Sequence, residues 1–322
     1  MIIRRGYSIR RLLGSGIVWT AAAIICIECC CWKYFPSRYF SHEVDRLLYT
    51  LQTSSFDADT VVLGDSVGRQ LSQYLADSGE KDFIPLATNG ALQMAGQYYI
   101  FLRYLERNPP PQTVILLKHR PLHGDLDRPA TENYVQRCFT RWHEIAGMTL
   151  RTGQPGFGLR MLSYRLLATA KYRLHLQKLV PGLETPEVWA EAPLDAEQPE
   201  TLAQKTAAQI IMNWFFPQKY FSISEYYLIR LLDLCAGKNI RVCYLPCPMP
   251  EKQWNRYQYG PAHTLLVSRM KELSQQYPNL VYTTEVKAYP GGWFVDGVHV
   301  EKANLPQVAG DYALMMDELM KP

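Results

Sequence analysis

Two short segments far apart in the chain carry the residue types of nucleophilic catalysis. Gly64-Asp65-Ser66 follows an apolar run and precedes a helical pattern, so Ser66 falls at a strand end and a helix N-terminus. Backbone N–H groups and the helix dipole favour negative charge at such a place. Gly64 permits a tight turn that exposes the hydroxyl. Taken alone, the fragment reads more simply as a serine capping its helix. The second segment, Asp296-Gly-Val-His299, changes the balance. An Asp three residues before a His in one loop accepts the imidazole Nδ1–H and leaves Nε2 to take a proton from a serine hydroxyl. A strand-end serine with an Asp-x-x-His loop is the material of acyl transfer through a covalent intermediate.

Such a meeting requires elements that bring residues 66 and 299 together. From residue 56 onward short apolar runs alternate with helical periodicity. Strands are expected at 60–63, 82–87, 113–117, 241–245 and 280–283, and helices at 67–75, 91–106, 222–236, 262–277 and 306–320. Alternation of doubly apolar strands with helices predicts an α/β fold, a three-layer sandwich around a parallel sheet. Ligands of such sheets sit at the carboxyl ends of the strands. Ser66 falls at one of those ends. Residues 120–220 interrupt the rhythm with helical patches at 134–148, 159–179 and 201–216 and a Pro/Glu-rich loop at 180–200. They are expected to form a helical insertion over the strand ends, with Trp142, Trp189 and Trp214 as packing residues.

Composition narrows the classes further. The chain has 322 residues and a net charge of +4, with 48% hydrophobic and 20% charged residues. These values exclude disorder, collagen and coiled coil as overall descriptions and give no basis for nucleic acid as a partner. Arg4, Arg5, Arg10 and Arg11 precede an apolar stretch over 12–32, about the length that crosses a bilayer. This pattern predicts a cytoplasmic basic tail at 1–11, an uncleaved transmembrane anchor at 12–32 and a linker at 33–55. An exported domain at 56–322 follows, the whole being a single-pass inner-membrane protein. Of the eight cysteines, Cys26, Cys29, Cys30 and Cys31 lie in or beside that stretch. Cys243 and Cys247 are too far apart along a strand to bridge each other. The pairing of Cys138 and Cys235 is left open, and no spacing suggests zinc.

Gly64-Asp65-Ser66 and Asp296-x-x-His299 resemble the first and fifth blocks of the SGNH (GDSL-type) hydrolase superfamily. Thr88-Asn89-Gly90, after the second expected strand, resembles its second block. The resemblance spans residues 60–117 and 241–320 and implies a flavodoxin-like core. It implies Ser66 as nucleophile, His299 as base and Asp296 as its orienting acid, with the N–H groups of Ser66 and Gly90 as oxyanion donors. It implies no metal and no organic cofactor. The third block departs: where the family carries an Asn side chain, this chain reads Lys118-His-Arg-Pro-Leu-His123. Asn89, His119 and Arg120 are the candidates to replace that donor, whose loss costs roughly 3–4 kcal/mol in the transition state. Asp65 is expected to hold the turn, and Arg69 to form a surface pair.

A similar departure, with an N-terminal span, marks the SGNH-like proteins of bacterial envelope acylation systems. The resemblance therefore implies an enzyme that transfers or hydrolyses O-acyl groups, O-acetyl first among them, on a cell-envelope or exported polysaccharide. With the expected anchor, a multi-span acyl carrier in the same membrane is the partner such an enzyme would meet. The alternative is a catalytically inert glycan-binding or scaffolding subunit on the same fold.

Overall fold

The computed structural model describes residues 16–38, 43–119, 122, 129–138, 141–152, 155–171 and 223–321. Among the described residues seven strands are present: β1 (Thr60–Gly64), β2 (Ile84–Pro85), β3 (Thr113–Leu117), β4 (Arg241–Leu245), β5 (Met249–Pro250), β6 (Leu280–Tyr282) and β7 (Ala288–Tyr289). Five of them form a wholly parallel sheet in the order β2-β1-β3-β4-β6, and β5 pairs with β7 separately. The protein is α/β, as the alternation predicts. β1 pairs with β3 from Thr60 opposite Thr113 to Gly64 opposite Leu117, and β3 pairs with β4 out to Leu245. The three central strands therefore end flush, and residues 65–66, 118–119 and 246–247 emerge side by side. The chain runs from β1 outward to β2, then back to β3 on the other side of β1, which makes the β1/β3 ends the topological switch point.

Strand burial explains why the sheet is parallel and covered. Val61 to Leu63, Val114 to Leu117 and Val242 to Leu245 are all buried, so both faces need partners. One face packs Val62, Ile115 and Cys243 against Val67, Leu71 and Leu75 of the helix Ser66–Asp77 and against Val308, Tyr312 and Met316 of the helix Leu305–Met320. The helices Gln93–Leu105 and Ile223–Ala236 pack on each other and on β1 and β4, covering the strand residues of opposite parity. β1 and β3 approach so closely that a Cβ on Gly64 would stand 2.0 Å from the Leu117 carbonyl oxygen. Glycine is a packing requirement there.

Contacts divide the chain into two compact units. Residues 43–141 and 218–322 form the unit that holds the sheet, and residues 1–42 and 142–217 form the other. In the second unit the expected patches at 134–148 and 159–179 resolve differently. The helix Pro129–Cys138 belongs with the sheet, whereas Trp142–Thr152, Pro155–Leu166 and Ala168–Lys171 are separate helices. Trp142 is half exposed beneath the Arg165 guanidinium, 5.0 Å from its ring centroid, and is not a core packing residue. Trp189, Trp214, Arg120 and the patch at 201–216 lie outside the described residues.

The membrane anchor expected over 12–32 requires correction. Among the described residues no helix is long and apolar enough to cross a membrane. The helix Gly16–Arg38 is continuous, but its apolar run is broken by Thr20, Glu28 and Lys33. Its Glu28 carboxylate is engaged by the Thr169 hydroxyl and by the Thr169 N–H at 3.2 Å, so its charge has polar partners within the chain's own fold. The single-pass localisation, with the N-terminus in the cytoplasm and an exported domain, falls with the anchor.

Candidate active site

Ser66 opens its helix directly after β1, with Asp65 as the N-cap. The Ser66 Oγ lies 2.8 Å from the His299 Nε2, and the His299 Nδ1 lies 2.6 Å from the Asp296 Oδ2. Two segments 233 positions apart thus meet in one hydrogen-bonded line. With the Nδ1 proton directed at the carboxylate, Nε2 presents its lone pair to the hydroxyl. Ser66 is 9% exposed, whereas the His299 and Asp296 side chains are 33% and 50% exposed, so the line opens to solvent from the loop side.

The loop that presents His299 is internally braced. The other Asp296 oxygen accepts the N–H groups of Val298 at 3.0 Å and His299 at 2.8 Å, closing an Asx turn. Gly297 takes φ +78°, a left-handed conformation that suits glycine, and its carbonyl accepts the Gln253 amide at 3.0 Å. Phe294 and Val300 form an antiparallel bridge, fixed by Val295 N–H to the His299 carbonyl and Glu301 N–H to the Trp293 carbonyl. Partial burial opposes the charge on Asp296. The His299 and Val298 N–H groups and the imidazole outweigh it, holding the carboxyl below its ordinary value.

Asp65 does not face the reacting groups; it builds the floor beneath them. Its Oδ1 accepts the N–H groups of Val67 and Gly68 and the Cys247 thiol at 3.3 Å, and its Oδ2 accepts the His119 N–H at 3.1 Å. Burial alone would raise this carboxyl. His119 and the buried Lys118 beside it bring it below its ordinary value. Lys118 is in turn lowered by burial, against the pull of Asp65. Burial and the neighbouring carboxylate push the Cys247 thiol well up, so it stays a protonated donor. One ligand atom from each of Asp65, His119 and Cys247 lies within 4.8 Å of the others. Both Asp65 oxygens are already engaged by donors and a buried ammonium lies alongside, so the set stands as a hydrogen-bonded network.

Gly90 begins the 3-10 turn Gly90–Leu92, and a Cβ built on it would lie 3.7 Å from the Asp65 Cβ, which places this segment beside the nucleophile turn. The Asn89 carbonyl accepts the Leu92 N–H at 3.0 Å and so shapes the turn. At the third-block position Lys118 is tied down. Its N–H bonds to the Leu245 carbonyl and its carbonyl accepts the Tyr244 hydroxyl at 3.0 Å. Arg69 pairs with Glu43, the surface pair expected of it.

Three glutamines that sequence reasoning passed over hold the constellation. Gln97 is fully buried and clamps Gly64, accepting its N–H at 3.1 Å and donating to its carbonyl at 2.6 Å. Its signal was present: Gln97 sits on the apolar stripe Met94, Phe101 and Tyr104, where a polar residue calls for a partner. Gln70 and Gln253 hold the histidine loop, and no sequence pattern marks either.

The fold and site define an α/β protein with a Ser–His–Asp line at the switch point of its sheet. No family model and no curated protein matches the chain. A solved structure from Streptococcus pneumonia, provisionally described as a platelet activating factor, is similar at 11% identity and a TM-score of 0.34. The match covers 91% of this chain and 99% of that one. Likeness at that level carries no argument about this protein.

Proposed function

We propose that this chain is a serine acyl-ester enzyme that transfers or hydrolyses O-acyl groups, acetyl among them, on a polysaccharide. One observation carries the reading: the Ser66 hydroxyl, the His299 imidazole and the Asp296 carboxylate stand in line at 2.8 Å and 2.6 Å. In the first step His299 Nε2 takes the hydroxyl proton as Ser66 Oγ attacks the ester carbonyl. The oxyanion forms near the start of the nucleophile helix, where the N–H groups of Ser66 and Gly90 and the Asn89 side chain are the assigned donors. Collapse expels the alcohol, which takes the proton from His299. The acyl-enzyme is then discharged to water or to a sugar hydroxyl activated by the same imidazole. Membership of the SGNH superfamily is part of this proposal, supported by the order of the motifs along the chain. The membrane acyl carrier drew its case from the anchor and is not carried forward.

The test is covalent labelling of the full chain with a fluorophosphonate, read by peptide mass spectrometry. The label is expected on Ser66 and absent from Ser66→Ala and His299→Ala. A native protein that takes no label counts against catalysis. A second reading, an inert polysaccharide-binding subunit, is favoured by Lys118 and His119 standing where the family carries its donor amide, with the Lys118 backbone committed to β4. Binding of polysaccharide that is unchanged in Ser66→Ala, with no labelling of the native chain, would select it.

A further inference from the structure

The bonds that brace the histidine loop fix its shape but not its distance from Ser66. The Asx turn at Asp296 and the Phe294–Val300 bridge are both internal to the loop, and the Gln253 contact comes from the helix Glu251–Tyr257. Catalysis through this line needs the imidazole held against one particular hydroxyl, since a misplacement of about 1 Å costs about 10²-fold in rate.

Among the described residues one side chain makes that connection by hydrogen bonds to the loop backbone. In the Phe294–Val300 pairing the bonds run through the flanking residues, Val295 with His299 and Glu301 with Trp293. That is the pattern of a non-hydrogen-bonded pair, in which the N–H and C=O of Val300 itself point away from the hairpin. Both are met by Gln70: its Nε2 donates to the Val300 carbonyl at 2.6 Å and its Oε1 accepts the Val300 N–H at 3.1 Å. The side-chain amide acts as a single residue of an added strand. Gln70 stands four residues after Ser66 on the same helix, one turn along the same face. Val300 is the residue directly after His299. One end of the Ser66–His299 bond is therefore one helical turn from the bidentate amide clamp, and the other is one residue from it.

We infer that Gln70 is a positioning residue, which sets the Ser66 Oγ to His299 Nε2 separation by docking the Val300 backbone onto the nucleophile helix. The inference rests on the acyl-ester reading for its consequence in rate, and on geometry alone for its consequence in structure. Gln70→Met keeps the length and helix preference of the side chain while removing both bonds, and Gln70→Ala removes the stem as well.

The experiment uses the full chain and two readouts. With a fluorophosphonate, the maximal labelling rate at Ser66 is expected to fall about 10²-fold in Gln70→Met while the half-saturating reagent concentration stays put. By nitrogen-15 NMR, the His299 ring signals of Gln70→Met are expected to move toward those of Ser66→Ala, in which the imidazole has lost its hydroxyl. Amide exchange at Val300 is expected to quicken in the same variant. Labelling at the wild-type rate in both variants, or His299 signals that stay at their wild-type positions, overturns the inference. If the wild-type chain takes no label, the acyl-ester reading fails by itself. The ring signals and Val300 exchange then decide the clamp without it.

Discussion

At the scale of single residues, Asp296 has no freedom to be replaced by its amide. Its Oδ1 is committed to the N–H groups of Val298 and His299, so an Asn there must keep its oxygen on those donors and turn its NH2 toward the imidazole. Nδ1 would then have to accept, the ring proton would move to Nε2, and the lone pair facing Ser66 would be lost. Asp296→Asn is expected to cut Ser66 labelling by about 10³–10⁴-fold while leaving the loop folded, as amide exchange at Val298 and His299 can check. The carboxyl lies below its ordinary value of about 3.9, so this group imposes no loss of labelling above about pH 4. Asp65 differs in kind, because its task is structural. Its folded value is depressed, so the stability it contributes is fully present above about pH 4 and disappears as pH falls through the lower folded value. Asp65→Asn removes the charge facing buried Lys118 and is expected to cost about 3–5 kcal/mol in urea unfolding at pH 7. Adding Lys118→Met should return part of that loss, whereas additive losses would show the pair to be uncoupled.

At the scale of elements, the site depends on how closely β1 can lie against its neighbours. Gly64 has the Leu117 carbonyl where its Cβ would be, and Gln97 takes up both of its backbone groups. Gln97→Leu preserves the volume and leaves the Gly64 N–H unmet, while the carbonyl keeps the Thr88 N–H at 3.1 Å, for an expected cost of about 1–3 kcal/mol by chemical denaturation. Equal stability of the variant would mean that water or a shifted strand end takes over. These elements were legible in the sequence to unequal degrees. β3 and β4 fall where their apolar runs lie, because strands buried on both faces leave no ambiguity of period. The expected strand at 82–87 shrinks to Ile84–Pro85, although Leu86 and Thr88 still donate to the Val62 and Gly64 carbonyls, with Pro85 tolerated because its nitrogen faces the open edge. Ser66, Asp296 and His299 were legible because their chemistry constrains their spacing. The glutamine clamps were not, because a side chain that bonds to backbone leaves no matching residue type at the other end. The stretch over 12–32 misled for a related reason: apolar composition was visible, but the Thr169 partner of Glu28 was not.

At the scale of the whole molecule, cysteine chemistry separates packed interior from surface in both units at once. All eight cysteines are unbridged. Cys26, Cys29 and Cys30 are exposed, while Cys31, Cys138, Cys235, Cys243 and Cys247 are buried. Burial pushes Cys235 up to about 12, and burial with the Asp65 carboxylate pushes Cys247 well above its ordinary value. Because the thiolate is the reactive species, these interior groups are shielded twice, by exclusion of reagent and by suppressed ionisation. Brief alkylation of the native chain at pH 8 is expected to mark Cys26, Cys29 and Cys30 alone, and denaturant is expected to expose the other five together with loss of fluorophosphonate labelling. A reductant should leave the melting temperature unchanged. Cys247 is the informative position: its thiol donates to Asp65 beneath Ser66, so modification there requires the nucleophile turn to open. Native-state alkylation of Cys247 at a rate comparable to the exposed thiols would mean that the floor of the site is not held by the hydrogen bonds that join Asp65, His119 and Cys247.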